Sequence, residues 1–246
     1  MLTRHLIAFA AAVSVASFSA TVSADHHGKK MSNTDIAKAW VNAGQTGGKD
    51  ASLNMVKKYM ADDGVVFRPR YVGLGFTHNG YQTGNMVVNE VIEGSPADGT
   101  LEVGDQFMSV RGVAVTADNM DRLSFRGMPG EMIDAVIKRG DKEMPISLAR
   151  GKISYSISKA DMVEWMENAD GDDWGDEKFT LHEAVGVGNV VYVWTEIMNT
   201  DDATGQPVET HVVTRFQFND DGKVAAIANM REDRFILEQQ GFTISR

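Results

Sequence analysis

Apolar positions recur at helical spacing in two early stretches of the chain. Ser32 to Gln45 carries Ile36, Ala37, Trp40 and Val41 on one face, and about Ala51 to Ala61 carries Leu53, Val56, Tyr59 and Met60. Ser32 or Asn33 is placed to cap the first helix, and Gly47-Gly48 breaks it. Asp62-Asp63-Gly64 reads as a turn into a short strand, Val65-Val66-Phe67. The helical period returns over Lys159 to Asn168, with Met162, Val163, Trp165 and Met166. Alternation then takes over in four runs, about 178–187, 190–198, 208–218 and 224–230, separated by turn residues such as Gly188-Asn189 and Asp220-Asp221-Gly222. Glu232 to Gln240 closes as a helix. If the strands pair about their turns, Val191, Val193, Val212, Phe216, Phe218 and Ile227 share one face and must meet the helices. The other face carries Tyr192, Trp194, His211 and Arg215. Large aromatics there fit a homodimer interface, or equally a sheet half covered by its own chain.

Between these blocks the pattern changes character. Val72-Gly73-Leu74-Gly75-Phe76 is followed by Val91-Ile92-Glu93-Gly94-Ser95-Pro96-Ala97, Leu101-Glu102-Val103-Gly104-Asp105, Val110-Arg111-Gly112-Val113-Ala114-Val115, Gly127-Met128-Pro129-Gly130-Glu131 and Arg139-Gly140-Asp141-Lys142-Glu143. In order and spacing these motifs resemble a PDZ domain, most closely the kind attached to bacterial periplasmic trypsin-like proteases. The resemblance implies a β-barrel-like module over 69–151 that binds the C-terminal end of a peptide or protein as an added strand. Gly73 and Gly75 let backbone amides converge on a carboxylate. Leu74 and Phe76 flank that nest. Met120 and Leu123, three apart on a short helix begun near Asn119, form the opposite wall. Arg70 supports the carboxylate electrostatically. The plain alternatives are that Leu74, Phe76, Met120 and Leu123 are core residues and Arg70 a solvated charge. A side chain at Gly75 is expected to close the nest while leaving the fold largely intact.

The flanking blocks resemble the nuclear-transport-factor-like cone of SnoaL-type polyketide cyclases and ketosteroid isomerases. The resemblance rests on Val190-Val191-Tyr192-Val193-Trp194, Gly205-Gln206-Pro207-Val208, Arg215 to Val224, and the run Tyr59 to Phe67. It implies an α+β domain, a curved antiparallel sheet with helices, made discontinuously of 32–68 and 152–246 with the peptide module inserted. Three serial pieces are the alternative. Tyr59, Thr195, Thr214 and Asn229 are the candidates to tip a cone cavity with polar groups. Tyr59, Asp62, His182 and His211 are the candidate acids or bases, although each suits a core or surface place better than a catalytic one. His182-Glu183 lacks a second histidine at Gly186, so no zinc-protease helix is present. Asp170 to Gly175 mimics a calcium loop but has Leu181 where the bidentate acid belongs.

Composition narrows the function. A formal charge of −10 argues against nucleic acid or anionic lipid as partner. The absence of cysteine removes thiol chemistry and disulfides. Arg4, the apolar run Leu6 to Phe18 and Val22-Ser23-Ala24 read as a signal peptide, 1–24, cleaved to a periplasmic or secreted product without further membrane insertion. Cleavage would leave His27 third in the chain, a set of nitrogens suited to adventitious Cu(II) or Ni(II). No other cofactor is expected. The whole reads as an exported peptide-binding protein. The alternative is an isomerase, cyclase or dehydratase acting in the cone, with the PDZ-like module for docking.

Overall fold

The structure is a computed structural model, and it describes residues 31–78, 84–120, 123, 125–169, 178–201 and 205–243. The leader, His27 and the acidic loop from Asp170 to Asp176 lie outside the described residues. Helix α1, Asn33–Thr46, begins where the sequence supplies a capping box: the Ser32 hydroxyl accepts from the Asp35 amide at 3.1 Å, and the Asp35 carboxylate accepts from the Ser32 amide at 3.2 Å. It ends at Gly47. Helix α2, Gly48–Tyr59, folds back on it, tied by the Ser52 hydroxyl donating to the Ala43 carbonyl at 2.9 Å. Helix α3, Lys159–Asn168, starts with a second capping box, Ser158 with Asp161. Among the described residues no helix is long and apolar enough to cross a membrane.

These helices cover a six-stranded sheet. Strand β1, Met60–Phe67, precedes a long excursion of the chain. The excursion holds β2 (Tyr71–Gly73), β3 (Phe76–His78), β4 (Val88–Val91), β5 (Gln106–Val110), β6 (Val113–Ala114), β7 (Met132–Arg139), β8 (Lys142–Ala149) and β9 (Gly151–Ile153). Then come β10 (Ser156–Ser158), β11 (Lys178–Val187), β12 (Val190–Thr200), β13 (Pro207–Phe218), β14 (Val224–Arg231) and the final helix α4, Asp233–Gln239. The large sheet runs β10-β1-β14-β13-β12-β11, antiparallel except for β1 with β14. Asp62-Asp63-Gly64 is not a turn before the strand. It lies within β1, where the register against β14 shifts between Met60 and Val65.

The sheet's inner face behaves as its alternation predicts. Val191, Val193, Phe216, Phe218, Val224 and Ile227 are buried against Ile36 and Ala37 of α1, and the Trp40 ring meets Phe216 edge-on at 6.1 Å. Val56, Met60 and Met166 close the layer beneath α2 and α3.

The excursion has its own core of Leu74, Met86, Val88, Phe107, Val110, Ile133, Ile137 and neighbours. Its strands form a sheet β6-β5-β7-β8 and two ribbons, β2-β9 and β3-β4. It leaves and rejoins the large sheet side by side: Phe67 lies opposite Ser156, the Arg68 amide donates to the Tyr155 carbonyl at 3.0 Å, and Tyr71 lies opposite Ile153.

Candidate functional site

Two concave sites emerge, one in each part. On the inner face of the large sheet, cross-strand rows continue past the core: Val193–Thr214–Asn229, Thr195–Val212–Arg231, Ile197–Thr210 and Asn199–Val208. Thr195 is buried and donates its hydroxyl to the Val212 carbonyl at 3.3 Å. Beyond it the face opens into a cavity of about 610 Å³, with the strand residues Ile197, Asn199, Val208, Thr210, Val212 and Arg231 on one side. Ile236, Leu237 and Gln240 at the end of the chain roof it, and Gln45 reaches in from the end of α1. Asp201 and Asp233 stand at its rim.

The roof is fixed by hydrogen bonds rather than by apolar burial. Gln239 exchanges two with the Glu209 backbone, at 2.8 and 3.0 Å, and Gln240 donates to Asp201 at 2.6 Å. Asp233 pairs with Arg231. Among the described residues the Gln45 side-chain carbonyl is buried with no hydrogen-bond partner. A buried acceptor without a donor costs roughly 1–3 kcal/mol, and a ligand that donates to it recovers that energy.

The second site lies beside β3. Tyr71, Gly73, Leu74, Gly75, Phe76, His78, Met120, Leu123, Phe125 and Arg126 enclose about 190 Å³. Gly75 has φ +88°, and its carbonyl accepts from the Ile92 amide at 2.9 Å and the Ser95 hydroxyl at 3.1 Å. The Leu74 carbonyl accepts from the Ala97 amide at 2.9 Å, which fixes the glycine turn from behind. Phe76 stacks on Phe107 and both meet Phe125 edge-on, with ring centres 4.9–5.3 Å apart. Buried Arg150 donates to the Phe125 carbonyl at 3.2 Å and pairs with Glu131, so it holds that wall in place.

The charge near this groove is Arg126, not Arg70. Arg70 is exposed and does not line the groove, whereas the Arg126 guanidinium sits 3.6 Å from the centre of the Tyr71 ring. Burial pushes the Tyr71 hydroxyl up against the opposing effect of Arg126, and pushes the His78 imidazole down. Both groups are therefore neutral at pH 7, and among the described lining residues Arg126 carries the fixed charge. Asn119 takes no part in the wall either. It closes a turn, its side chain accepting from the Thr116 amide at 2.9 Å and donating to the Ala114 carbonyl at 2.8 Å. Residues 117–120 are turn, and the helix expected to carry Met120 and Leu123 runs into positions 121, 122 and 124, outside the described residues.

Residues 154–227 match the family model of the SnoaL-like domain. This part of the chain is a SnoaL-like domain. A putative polyketide cyclase, IdmH from Streptomyces antibioticus, overlaps the chain at 12% identity, covering 86% of this chain and 100% of that one with a TM-score of 0.41. An NTF2-like protein from Burkholderia thailandensis does so at 12% identity, over 86% and 98%, with a TM-score of 0.35. A serine endoprotease from Yersinia pestis overlaps 35% of this chain and 30% of its own at 21% identity and a TM-score of 0.28. No curated protein matches the chain.

The polar groups of the sheet's cavity differ from those the sequence suggested. Thr195 and Thr214 are buried on the inner face, one step inward of the cavity. Asn229 is exposed. Tyr59 packs beside the core and turns its hydroxyl to the Met31 sulfur at 3.2 Å. Asp62 is an exposed partner of Lys159 at 2.8 Å, and that hydrogen bond and charge lower its pKa. His182 and His211 point to the opposite face. The residues that do line the cavity were findable in part: Thr210 and Arg231 are in phase with Val212 and Ile227, and Gln45 follows Val41 by one helical turn. Ile236, Leu237 and Gln240 carried no such signal.

Proposed function

We propose that the protein binds a small, partly apolar organic molecule in the cavity of its SnoaL-like domain, as an isomerase, cyclase or dehydratase would. The observation that carries this reading is the cavity itself: about 610 Å³, walls that mix apolar side chains (Ile197, Val208, Val212, Ile236, Leu237) with polar ones, and an unpartnered Gln45 acceptor. Its size and its mixture of apolar surface with convergent polar groups are those of ligand sites. Reactions of this class need a group that moves a proton. Among the described residues two carboxylates line it: Asp233 is exposed and paired with Arg231, while Asp201 is half-buried and held by Gln240. Of these two, Asp201 is the better placed to move a proton. Val212→Trp would fill the cavity from the sheet side. The full chain should bind anilinonaphthalene sulfonate, an aromatic anion, with enhanced fluorescence, and Val212→Trp should lose at least tenfold in affinity with an unchanged circular dichroism spectrum. Undiminished binding by the variant would sink the reading.

A second reading rests on the groove. The β3-β4 ribbon has two strands, so among the described residues β3 keeps an open edge beside the glycine turn and Arg126. That edge suits a PDZ-like addition of a peptide's C-terminal strand, with an apolar last side chain against Leu74, Phe76 and Leu123. Amidating the peptide's C-terminus should weaken binding by about 1.5–3 kcal/mol, the scale of a hydrogen bond to a charged group. Titration calorimetry with both forms of one selected peptide measures it, and equal affinities would exclude carboxylate capture.

The same reading takes 69–151 as a domain inserted into a host made of 32–68 and 152–246. The adjacency of β1 with β10 and of β2 with β9 supports it.

A further inference from the structure

The outward face of the large sheet carries a cluster that neither reading uses. Glu196 on β12 lies directly opposite His211 on β13. On the other side of β12, the register against β11 shifts between Leu181 and Glu183, and His182 is the extra residue. That bulge brings His182 over Glu196, ring Nε2 to carboxylate Oε2 at 3.2 Å. The candidate ligand atoms of His182, Glu196 and His211 all lie within 4.8 Å of one another, and among the described residues no other three His, Cys, Asp or Glu side chains do so. Glu232, just beyond β14, accepts from the His211 amide at 2.9 Å and lies 3.3 Å from its Nδ1. With the proton on Nδ1 and shared with Glu232, the His211 Nε2 presents a lone pair. Trp194 packs against both imidazoles, with ring centres 4.7 Å from His182 and 5.3 Å from His211.

An ion pair capped by stacked rings would account for one histidine and one glutamate. It does not account for a second imidazole converging on the same carboxylate with its own outer carboxylate behind it. That arrangement of two imidazoles, one carboxylate and an orienting second carboxylate is how proteins present first-row divalent metals.

We propose that His182, Glu196 and His211 form a site for a divalent transition metal, with Zn²⁺ as the ion it fits best, and that Glu232 is the positioning residue for His211. Three protein ligands leave the fourth tetrahedral position for water or an exogenous ligand. Bonds of about 2.0–2.2 Å place tetrahedral ligand atoms about 3.4 Å apart, so the side chains must draw in by roughly 1 Å. They have room to do so, because the three are 30–42% exposed. Cysteine is absent from the chain, so the donor set favours Zn²⁺ or Co²⁺ over soft ions such as Cu(I).

The test uses the full chain with His26→Ala and His27→Ala, so that histidines near the N-terminus do not compete. Titration with Zn²⁺ should show one equivalent bound. Co²⁺ should give the intense visible bands of a tetrahedral ion and quench Trp194 fluorescence, and excess Zn²⁺ should reverse both. His182→Ala and His211→Ala should each weaken Zn²⁺ binding at least tenfold. Glu232→Gln should weaken it by about 10–100-fold while keeping the Co²⁺ spectrum at saturation, the usual size of an outer-shell effect. No binding by the parent chain overturns the proposal. So does unchanged affinity in a His182→Ala/His211→Ala double variant, which would place the ion elsewhere.

Discussion

Gly75→Val should strongly destabilise the packing of residues 71–149 rather than merely empty the groove they form. At φ +88° an L side chain costs about 1–2 kcal/mol, and a β-branched one more. The added Cβ would stand 2.2 Å from the Ser95 Cβ and 2.5 Å from its hydroxyl. The hydroxyl can rotate away, but the Ser95 Cβ is fixed by its backbone, so the turn from Ile92 to Ala97 must move. That turn is tied to Gly75 and Leu74 by three hydrogen bonds of 2.9–3.1 Å. Overpacking of this kind adds about 1–3 kcal/mol. A total of about 3–5 kcal/mol is a large share of the stability of a small domain. Urea unfolding should show an early transition absent from the parent chain. Hydrogen exchange should show amides of 71–149 losing protection while those of 178–231 keep theirs, if 69–151 is an inserted domain. Loss in both regions together would make the chain one cooperative unit. Ser95→Gly in the same variant should recover part of the loss, since it removes the colliding Cβ and leaves the φ cost. Wild-type stability for Gly75→Val would show that the Ser95 turn yields freely, and would return the substitution to the mild groove-closing role that glycine spacing alone suggested.

Arg139→Met should cost about 3 kcal/mol at pH 7. Asp105 is 1% exposed, and the Arg139 guanidinium grips both its oxygens at 2.7 Å while also reaching Glu102 and the Thr100 carbonyl. Breaking a buried pair by removing one partner leaves an uncompensated charge, worth about 3–5 kcal/mol. The lower end applies here because the Arg139 side chain is 32% exposed and the Glu102 amide still donates to Asp105. The pH dependence has a definite sign. Burial pushes the Asp105 carboxyl up, but the Arg139 hydrogen bond, the Glu102 amide and the Arg139 charge outweigh it, and the net shift is down. A depressed carboxyl pKa contributes stability above the unfolded value, about 3.9, and loses it as pH falls through the folded value. The stability gap between wild type and Arg139→Met should therefore be widest near neutral pH and narrow below about pH 4, where the stranded carboxylate takes up a proton. Denaturant midpoints at several pH values measure this. A gap that does not change with pH would mean that the substitution acts through lost packing and not by stranding Asp105.

Much of the architecture was legible in the chain because it rests on local rules. Ser32 with Asp35 and Ser158 with Asp161 are capping boxes readable as letters, and the helices begin there. The alternation from Val190 to Phe218 decided which side chains enter the core before any partner was known, because a strand's side chains have a period of two and only one face could meet the helices. The mixture of helices and antiparallel strands followed from the same patterns, whereas the SnoaL-like character of 154–227 was indicated by the resemblance of motifs such as Val190 to Trp194 and Arg215 to Val224.

Other features had no local signal. Asp105 and Arg139 belong to separate glycine-bearing motifs, and only the pairing of β5 with β7 brings them together. Arg126 replaces Arg70 at the groove because Arg150 and Gly127 fold the 125–131 segment back over Tyr71. Val212 was assigned to the core by its phase, but it faces a cavity, because α1 ends before reaching the far rows of the sheet and α4 spans the gap from outside. His182 meets Glu196 only because a bulge in β11 shifts its register by one residue. Periodicity along one strand determines which face a residue takes. It carries no information about the neighbour on the next strand, about where a covering helix stops, or about a bulge. Those depend on register and packing between distant segments, and here they decide the cavity, the groove charge and the His182–Glu196–His211 cluster.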